Sequence, residues 1–258
     1  KEQERGYAST EDLYVPGYFE MPIKKGESIV FSAAVSSIKP SVLKKLFDEE
    51  VAERNPRDNF FHCLVNAAHQ FHIRKKNDDR YLLAGYPWFK CRARDTFISL
   101  PGLTLSIEEQ DYFELVMKTA EKGLREFMAG KPLTVQIAEI EQPDVLLWAT
   151  WAIQQYAKEA GLEKCRDMYG QLVQDIVKFV ESGKHNNLQL RDNGLLYSNG
   201  RDKAVTWMNS TANGHPVVPR TGYIVEFNAL WYNALCFAAS IAELDGDKAL
   251  AEHLNHSA

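Results

Sequence analysis

Three stretches of this 258-residue chain gather aromatic rings, carboxylates and arginines. Tyr86-Pro87-Trp88-Phe89 is followed by Arg92, Arg94 and Asp95. Gln142-Pro143-Asp144 opens an apolar run, with Trp148 one helical turn on. Trp207, Asn209 and Arg220 lie in a segment of turn-forming residues, Thr206–Arg220, which holds no carboxylate; Glu226 follows it. Flat aromatic rings offer apolar faces to sugar rings, and charged or amide groups beside them can hold hydroxyls. That mixture suits a carbohydrate better than a phosphate ester or a lipid. Each residue also has a purely structural role open to it. Asp144, directly after Pro143, fits a helix N-terminus. Arg94 can pair with Asp95, and Arg220 with Glu226, whose place at the start of a buried helix makes a lone charge costly. Trp88, Trp148 and Trp207 can serve as packing.

Other chemistries find less support. His69 and His72 are three apart, and His62 lies seven before His69 on about the same face. With only Cys63 near them in sequence, they read as core-edge histidines, and no metal is expected. No GxSxG, Walker loop or GxGxxG is present, so serine-nucleophile, nucleotide and dinucleotide chemistry are unsupported, and no cofactor is expected. The net charge of -5 and the lack of a basic patch beyond Arg74-Lys75-Lys76 argue against nucleic acid. No stretch has the ~20 apolar residues that cross a bilayer. Four scattered cysteines (Cys63, Cys91, Cys165, Cys236) without a CxxC read as reduced thiols of a cytoplasmic protein. Lys1 is not an initiator methionine, so the chain reads as a piece of a longer one.

The elements that position these residues are mostly helical. Residues 1–37 are distinct: Ser28–Ser32 reads as a strand after a turn at Lys25-Gly26, the last hairpin of a β-rich N-terminal domain. From 38 to 258 the apolar spacing is helical. Stripes run through Val42–Val51, Phe61–Phe71, Phe113–Phe127 and Met168–Val180. Val145–Ile153 and Phe227–Ile241 are apolar almost all round, which predicts burial on both sides. With the final Lys248–Ala258, about seven helices are expected, the half-wet ones forming an outer layer around the buried ones. Long loops are expected over 80–95, 129–142 and 184–224. The last holds a hairpin: Leu188 and Leu190, a turn at Asp192-Asn193-Gly194, and Leu195–Tyr197 returning.

Three stretches carry a resemblance: Ala84–Leu105 (AGYPWFKCRARDTFISLPGLTL), Pro143–Ala149 (PDVLLWA) and Thr206–Leu235 (TWMNSTANGHPVVPRTGYIVEFNALWYNAL). They resemble the amylo-α-1,6-glucosidase domain of the glycogen debranching enzyme family, over roughly residues 40–245 in one order. The resemblance implies an (α/α)6 barrel behind a β-rich domain. About seven helices then correspond to the first half of the barrel, an incomplete one. The other half is expected from a longer chain or replaced by self-association. The implied activity is hydrolysis, with inversion, of the α-1,6-linked glucose at a glycogen branch point, so the partner is glycogen or another branched α-glucan. Inversion needs two carboxyl groups about 6.5–9.5 Å apart, one donating a proton to the leaving oxygen and one activating water.

Position by position, the resemblance places sugar-binding roles on Arg94 and Asp95. It points to Asp144 and Glu226 as the catalytic carboxylates within this chain. Tyr86, Trp88, Trp148, Trp207, Asn209 and Arg220 are expected to bind substrate. Two positions depart from the family pattern: Arg92-Ala93 stands for the common Trp-Gly, and Asn209 for the aspartate that is the usual general-acid candidate. An amide hydrogen-bonds a glycosidic oxygen but has no carboxylic proton to give. Three readings stay open: loss of hydrolysis with glucan binding kept; an acid at Asp144 or Glu226; or a family role for that aspartate that is not general. The second catalytic carboxylate is expected beyond residue 258, leaving the fragment inactive alone.

Overall fold

The computed structural model describes residues 3–75, 77–86, 89–200 and 202–258. It divides into two compact units, Lys1–Tyr7 with Ala68–Ala258, and Ala8–Ala67. In the smaller unit, the described residues 8–37 form no strand; the turn at Lys25-Gly26 is present, with Glu27 N–H donating to Lys24 O at 3.0 Å. The hairpin expected there is therefore not formed: Ser28–Ser32 has no partner strand among the described residues, and a ladder needs two. Helix α1 (Leu43–Glu53) is laced by i,i+4 pairs such as Lys44–Asp48 at 2.8 Å, and its apolar Leu46, Phe47 and Val51 are exposed. Helix α2 (Phe60–His69) follows.

The larger unit holds the core. Its helices are α3 (Ala93–Leu103), α4 (Gln110–Met128), α5 (Val145–Ala160), α6 (Leu162–Glu181), α7 (Val225–Leu244) and α8 (Lys248–Ser257). Eight helices are thus described, one more than the apolar stripes predict. The additional one is α3, which carries Pro101 inside it. Proline has no N–H for the carbonyl of Phe97, and Gly102 follows, so the sequence reads as a helix breaker. Burial overrides that: Ala93, Phe97 and Leu100 are fully buried.

Helix α5 is central. It packs against α3, α6 and α7, while α4 covers α3 and α6, and α8 covers α7. So α3, α5 and α7 form one row and α4, α6 and α8 the layer outside it, as three successive helix pairs. The patterns explain the layering. The amphipathic α4 buries Phe113, Val116, Met117, Ala120 and Leu124 and keeps its charged face wet. The α7 helix has alanines at 229, 234, 238, 239 and 242, which allow close approach on several sides. Burial of the inner row is not complete: α5 leaves Trp148 and Trp151 half-buried, and α7 leaves Tyr232 exposed. Across the outer layer, Arg125 of α4 donates to Asp175 of α6 at 2.7 Å. A single residue separates α5 from α6. It is Gly161, at φ +90°, a left-handed conformation in which a side chain would strain the corner.

Three small antiparallel hairpins fill the loops. The first pairs β1 (His72–Arg74) with β2 (Arg80–Leu82). The second, β3 (Leu188–Leu190) with β4 (Leu196–Ser198), is the hairpin expected from the sequence, with Leu190 opposite Leu196. The third pairs β5 (Thr211–Ala212) with β6 (His215–Pro216). Asn228 of α7 clips the second hairpin: its Oδ1 accepts from Leu196 N–H at 2.8 Å, and its Nδ2 donates to Leu196 O at 3.1 Å. One side chain thus acts as a neighbouring strand would.

Candidate active site

The site lies where α3 begins. Arg92 is the N-cap of α3 in extended conformation, held by Ala93 N–H donating to Ala138 O at 2.9 Å and Ala138 N–H donating to Cys91 O at 2.8 Å. The Arg92 guanidinium then reaches Glu139 at 3.0 Å and stacks over Phe89. Glu139 itself sits at φ +61°, a conformation with a steric cost for a residue with a Cβ. One residue on, Arg94 turns inward. Its Nε donates to Asp144 Oδ2 at 2.7 Å and its Nη2 to Asp144 Oδ1 at 2.8 Å, a two-pronged pair with both side chains almost wholly buried. Trp148 adds its indole N–H to Asp144 Oδ2 at 3.2 Å. Asp144 is the N-cap residue of α5 but makes no capping hydrogen bond; its side chain is turned to Arg94 instead. The partner of Arg94 is therefore Asp144, fifty positions away, and not the adjacent Asp95.

Asp95 points outward into a cavity of about 430 Å³. Arg92, Arg94, Asp95 and Ser99 line it from α3 and its approach, and Trp207 and Asn209 from the loop before α7. Phe71, Leu83, Ala84, Ile98 and Leu103 form its apolar wall. A concave, partly apolar site of this size with a few converging polar groups is the usual form of a small-ligand pocket.

Beyond Trp207, Arg220 makes a two-pronged pair with Glu226 in the first turn of α7, with Nη2 to Oε2 at 2.9 Å. Burial pushes the Glu226 carboxyl up, but the hydrogen bonds and charge of Arg220, with a smaller contribution from Trp207, outweigh it and hold the group below its usual range. Glu226 is thus ionised at neutral pH. Gly200 fixes the loop: a Cβ there would lie 2.7 Å from Arg220 O and collide with Val205. Ser198 and Gly222 exchange backbone hydrogen bonds at 2.9 and 2.8 Å, which sets the register of Arg220.

Of the residues expected from the sequence, Arg94, Asp95, Trp207 and Asn209 share the cavity. Asp144 and Trp148 stand behind Arg94, and Arg220 and Glu226 beside Trp207. Tyr86 does not line the cavity; it packs on the wall residue Phe71, 6.3 Å between ring centroids, and its hydroxyl donates to Gln70 O. Trp88 lies outside the described residues. Sequence reasoning missed Ile98 and Ser99, although they follow Asp95 at i+3 and i+4 and share its face once α3 is known to be a helix. Glu139 gave no signal, because its backbone conformation is not legible in its residue type.

A model of one protein family, amylo-alpha-1,6-glucosidase, matches residues 66–256. The chain belongs to this family. A second family, glycogen debranching enzyme N terminal, matches residues 1–30. No curated protein and no solved structure gives a significant match. The glucosidase match spans α3 to α8 and every residue of the cavity, so the site just described is built wholly from glucosidase-family sequence. The larger unit extends from Ala68, close to where that match starts.

The same unit contains the one group of potential metal ligands found among the described residues: His69, His72 and Glu109. The sequence expectation of no metal rested on the lack of a carboxylate near these histidines. Glu109, forty residues from His69, stands 2.5 Å from its Nε2. The fold closed a distance that spacing could not show. His62 instead pairs with Asp58 at 2.6 Å. All four cysteines are free thiols. No helix among the described residues is long and apolar enough to cross a membrane.

Proposed function

We propose that the cavity holds the α-1,6-linked glucosyl residue of a branched α-glucan such as glycogen, and that the protein hydrolyses that bond with inversion. The observation that carries this reading is the convergence of Arg94, Asp95, Trp207 and Asn209, from separated segments of a glucosidase-family chain, on one pocket. Trp207 is largely exposed and offers a ring face for the sugar. Asp95 accepts from hydroxyls, and Arg94 and Asn209 donate to them.

The two carboxylates named from the sequence then take different parts. Asp144 has both oxygens occupied by Arg94 and one shared with Trp148, so it positions Arg94 and is poorly placed to carry a proton to substrate. Glu226, ionised and partly buried beside Trp207, has the charge state of a base that activates water, or of a group that steadies developing positive charge on the sugar. The proton donor has to be another carboxyl, since Asn209 has no proton to give. The domain reading, residues 1–37 as the end of a β-rich N-terminal domain with its linker and 38–258 as the first half of an (α/α)6 glucosidase barrel, goes with this proposal.

A second reading has a specific observation in its favour. Among the described residues lining the cavity, Asp95 is the single carboxylate, and Asn209 occupies the place of a family acid. The site then binds glucan without cleaving it. One experiment separates the two: incubation of the intact protein, not of this 258-residue stretch alone, with a branched limit dextrin, with NMR detection of the anomer released. The hydrolytic reading expects β-glucose. Retention on glycogen without glucose release refutes it and leaves the binding protein; in that case Asn209→Asp is expected to introduce turnover.

A further inference from the structure

We propose that His69, His72 and Glu109 form a binding site for a divalent cation of the zinc type, separate from the sugar cavity. The donor atoms come from the last residue of α2, the first residue of β1 and the N-cap of α4. One ligand atom from each lies within 4.8 Å of the others. His69 Nε2 is 2.5 Å from Glu109 Oε1, and His72 Nδ1 is 3.7 Å from Glu109 Oε2.

The tautomer of His72 decides the argument. Its Nε2 lies 2.9 Å from the carbonyl oxygen of Leu103. A carbonyl only accepts, so Nε2 carries the hydrogen. In the tautomer that this hydrogen bond selects, Nδ1 offers its lone pair toward a carboxylate oxygen 3.7 Å away, which is also only an acceptor. Two acceptors opposed in this way repel unless a cation lies between them. An imidazole whose remote N–H is tied to a backbone carbonyl is the usual support for a metal-ligating histidine. Here the ring plane is fixed too, since Tyr112 stacks on it with 3.9 Å between centroids and 11° between planes.

Spacing fits the ion. Ligands at about 2.0–2.1 Å from a tetrahedral centre stand roughly 3.3 Å apart. His72 Nδ1 and Glu109 Oε2 need little adjustment. The short contact between His69 and Glu109 opens as the cation displaces the proton they share, which passes to solvent or to His69 Nδ1. Two imidazoles and one carboxylate suit zinc better than magnesium or calcium, which prefer all-oxygen shells. Water completes the fourth position. A filled site ties the β1–β2 hairpin to the start of α4. Through Leu103, which also lines the cavity, it stiffens one wall of the sugar site.

The test uses the full chain, zinc chloride or cobalt chloride alone as ligand, and three readouts: calorimetric titration, the visible spectrum of the cobalt form, and thermal melting. Expected are one equivalent bound with micromolar or tighter affinity and an intense tetrahedral cobalt spectrum. At about 100 times Kd the melting midpoint should rise by roughly 5–10 °C. His69→Gln is the variant of choice because His69 is partly exposed, so its circular dichroism should match that of the unaltered protein. It and Glu109→Gln should each weaken binding by about 10–100-fold. Binding no tighter than millimolar, a pale octahedral cobalt spectrum, or affinity unchanged in His69→Gln would overturn the proposal and leave a hydrogen-bonded cluster. Activity on glucan is not a readout here, so the outcome is independent of the proposed hydrolysis.

Discussion

Removing the carboxylate of Asp144 tests whether the buried pair frames the site. In Asp144→Ala the Arg94 guanidinium keeps its charge, loses both prongs of its pair, and retains only a long contact of 3.4 Å to Val205 O. The Arg94 side chain is 6% exposed and that of Asp144 2%, so water cannot step in without opening the α3–α5 contact. Breaking a buried pair from one side costs about 3–5 kcal/mol. The Trp148 N–H is stranded as well, within the same range. At ~1.4 kcal/mol per factor of ten, the folded population falls about two to four orders of magnitude relative to unfolded. Urea denaturation followed by tryptophan fluorescence and circular dichroism measures this, provided both probes agree and the m-value is kept. The double variant Arg94→Leu/Asp144→Leu supplies the control. With both charges gone, an apolar replacement should recover much of the loss, because desolvation of the pair offsets much of its attraction. A cost below about 1 kcal/mol for Asp144→Ala would refute the reasoning, since such a value belongs to a solvated surface pair.

Two pH windows follow from named groups. Burial, the leading cause, pushes His185 down to about 4 from its ordinary 6.5, against a partly compensating field from Asp144. The unfolded chain therefore takes up a proton below pH 6.5 that the folded chain refuses until about 4. Stability should fall across that interval by up to about 3 kcal/mol, and His185→Phe should flatten the slope. Glu226 acts lower: its carboxyl is held below 4.5, so the stabilisation it gives is complete above that pH and lost on further acidification, and Glu226→Gln should remove that limb in urea midpoints measured against pH. Gly200→Ala should displace the Val205–Trp207 segment from Arg220, costing about 1–3 kcal/mol and reducing retention on glycogen. A variant with unchanged melting and retention would show that the loop yields freely there.

The sequence made the outer helices legible, because α4 and α6 each carry one apolar stripe and one charged face, and a stripe has a period. It made α5 and α7 legible as buried helices for the converse reason. It hid α3, whose Pro101 and Gly102 argue locally against a helix that tertiary burial nevertheless enforces. That single omission had consequences at the site. With the loop expected to run to residue 95 and no helix assigned after it, Arg94 has Asp95 as its nearest partner, and Ile98 and Ser99 have no common face with Asp95. Long-range pairs were the other blind spot. Arg94 with Asp144 and His69 with Glu109 are each joined by the fold across at least forty residues, and no spacing rule reaches that far. Arg220 with Glu226, six apart, was within reach of a spacing argument.

The three inner helices share a feature that ties fold to chemistry. Each begins with a carboxylate: Asp95 in the first turn of α3, Asp144 at the N-cap of α5, Glu226 in the first turn of α7. The unpaired N–H groups of a helix start carry partial positive charge, worth about 0.3–1 kcal/mol to a nearby anion. Two of them then receive an arginine from another segment, Arg94 for Asp144 and Arg220 for Glu226. These pairs pin one helix start to the next element and leave little freedom for proton transfer at Asp144. Among the described residues no arginine pairs with Asp95, which faces the cavity. The inner row thus presents three carboxylates at helix starts, two of them tied to arginines and one, Asp95, open to the cavity.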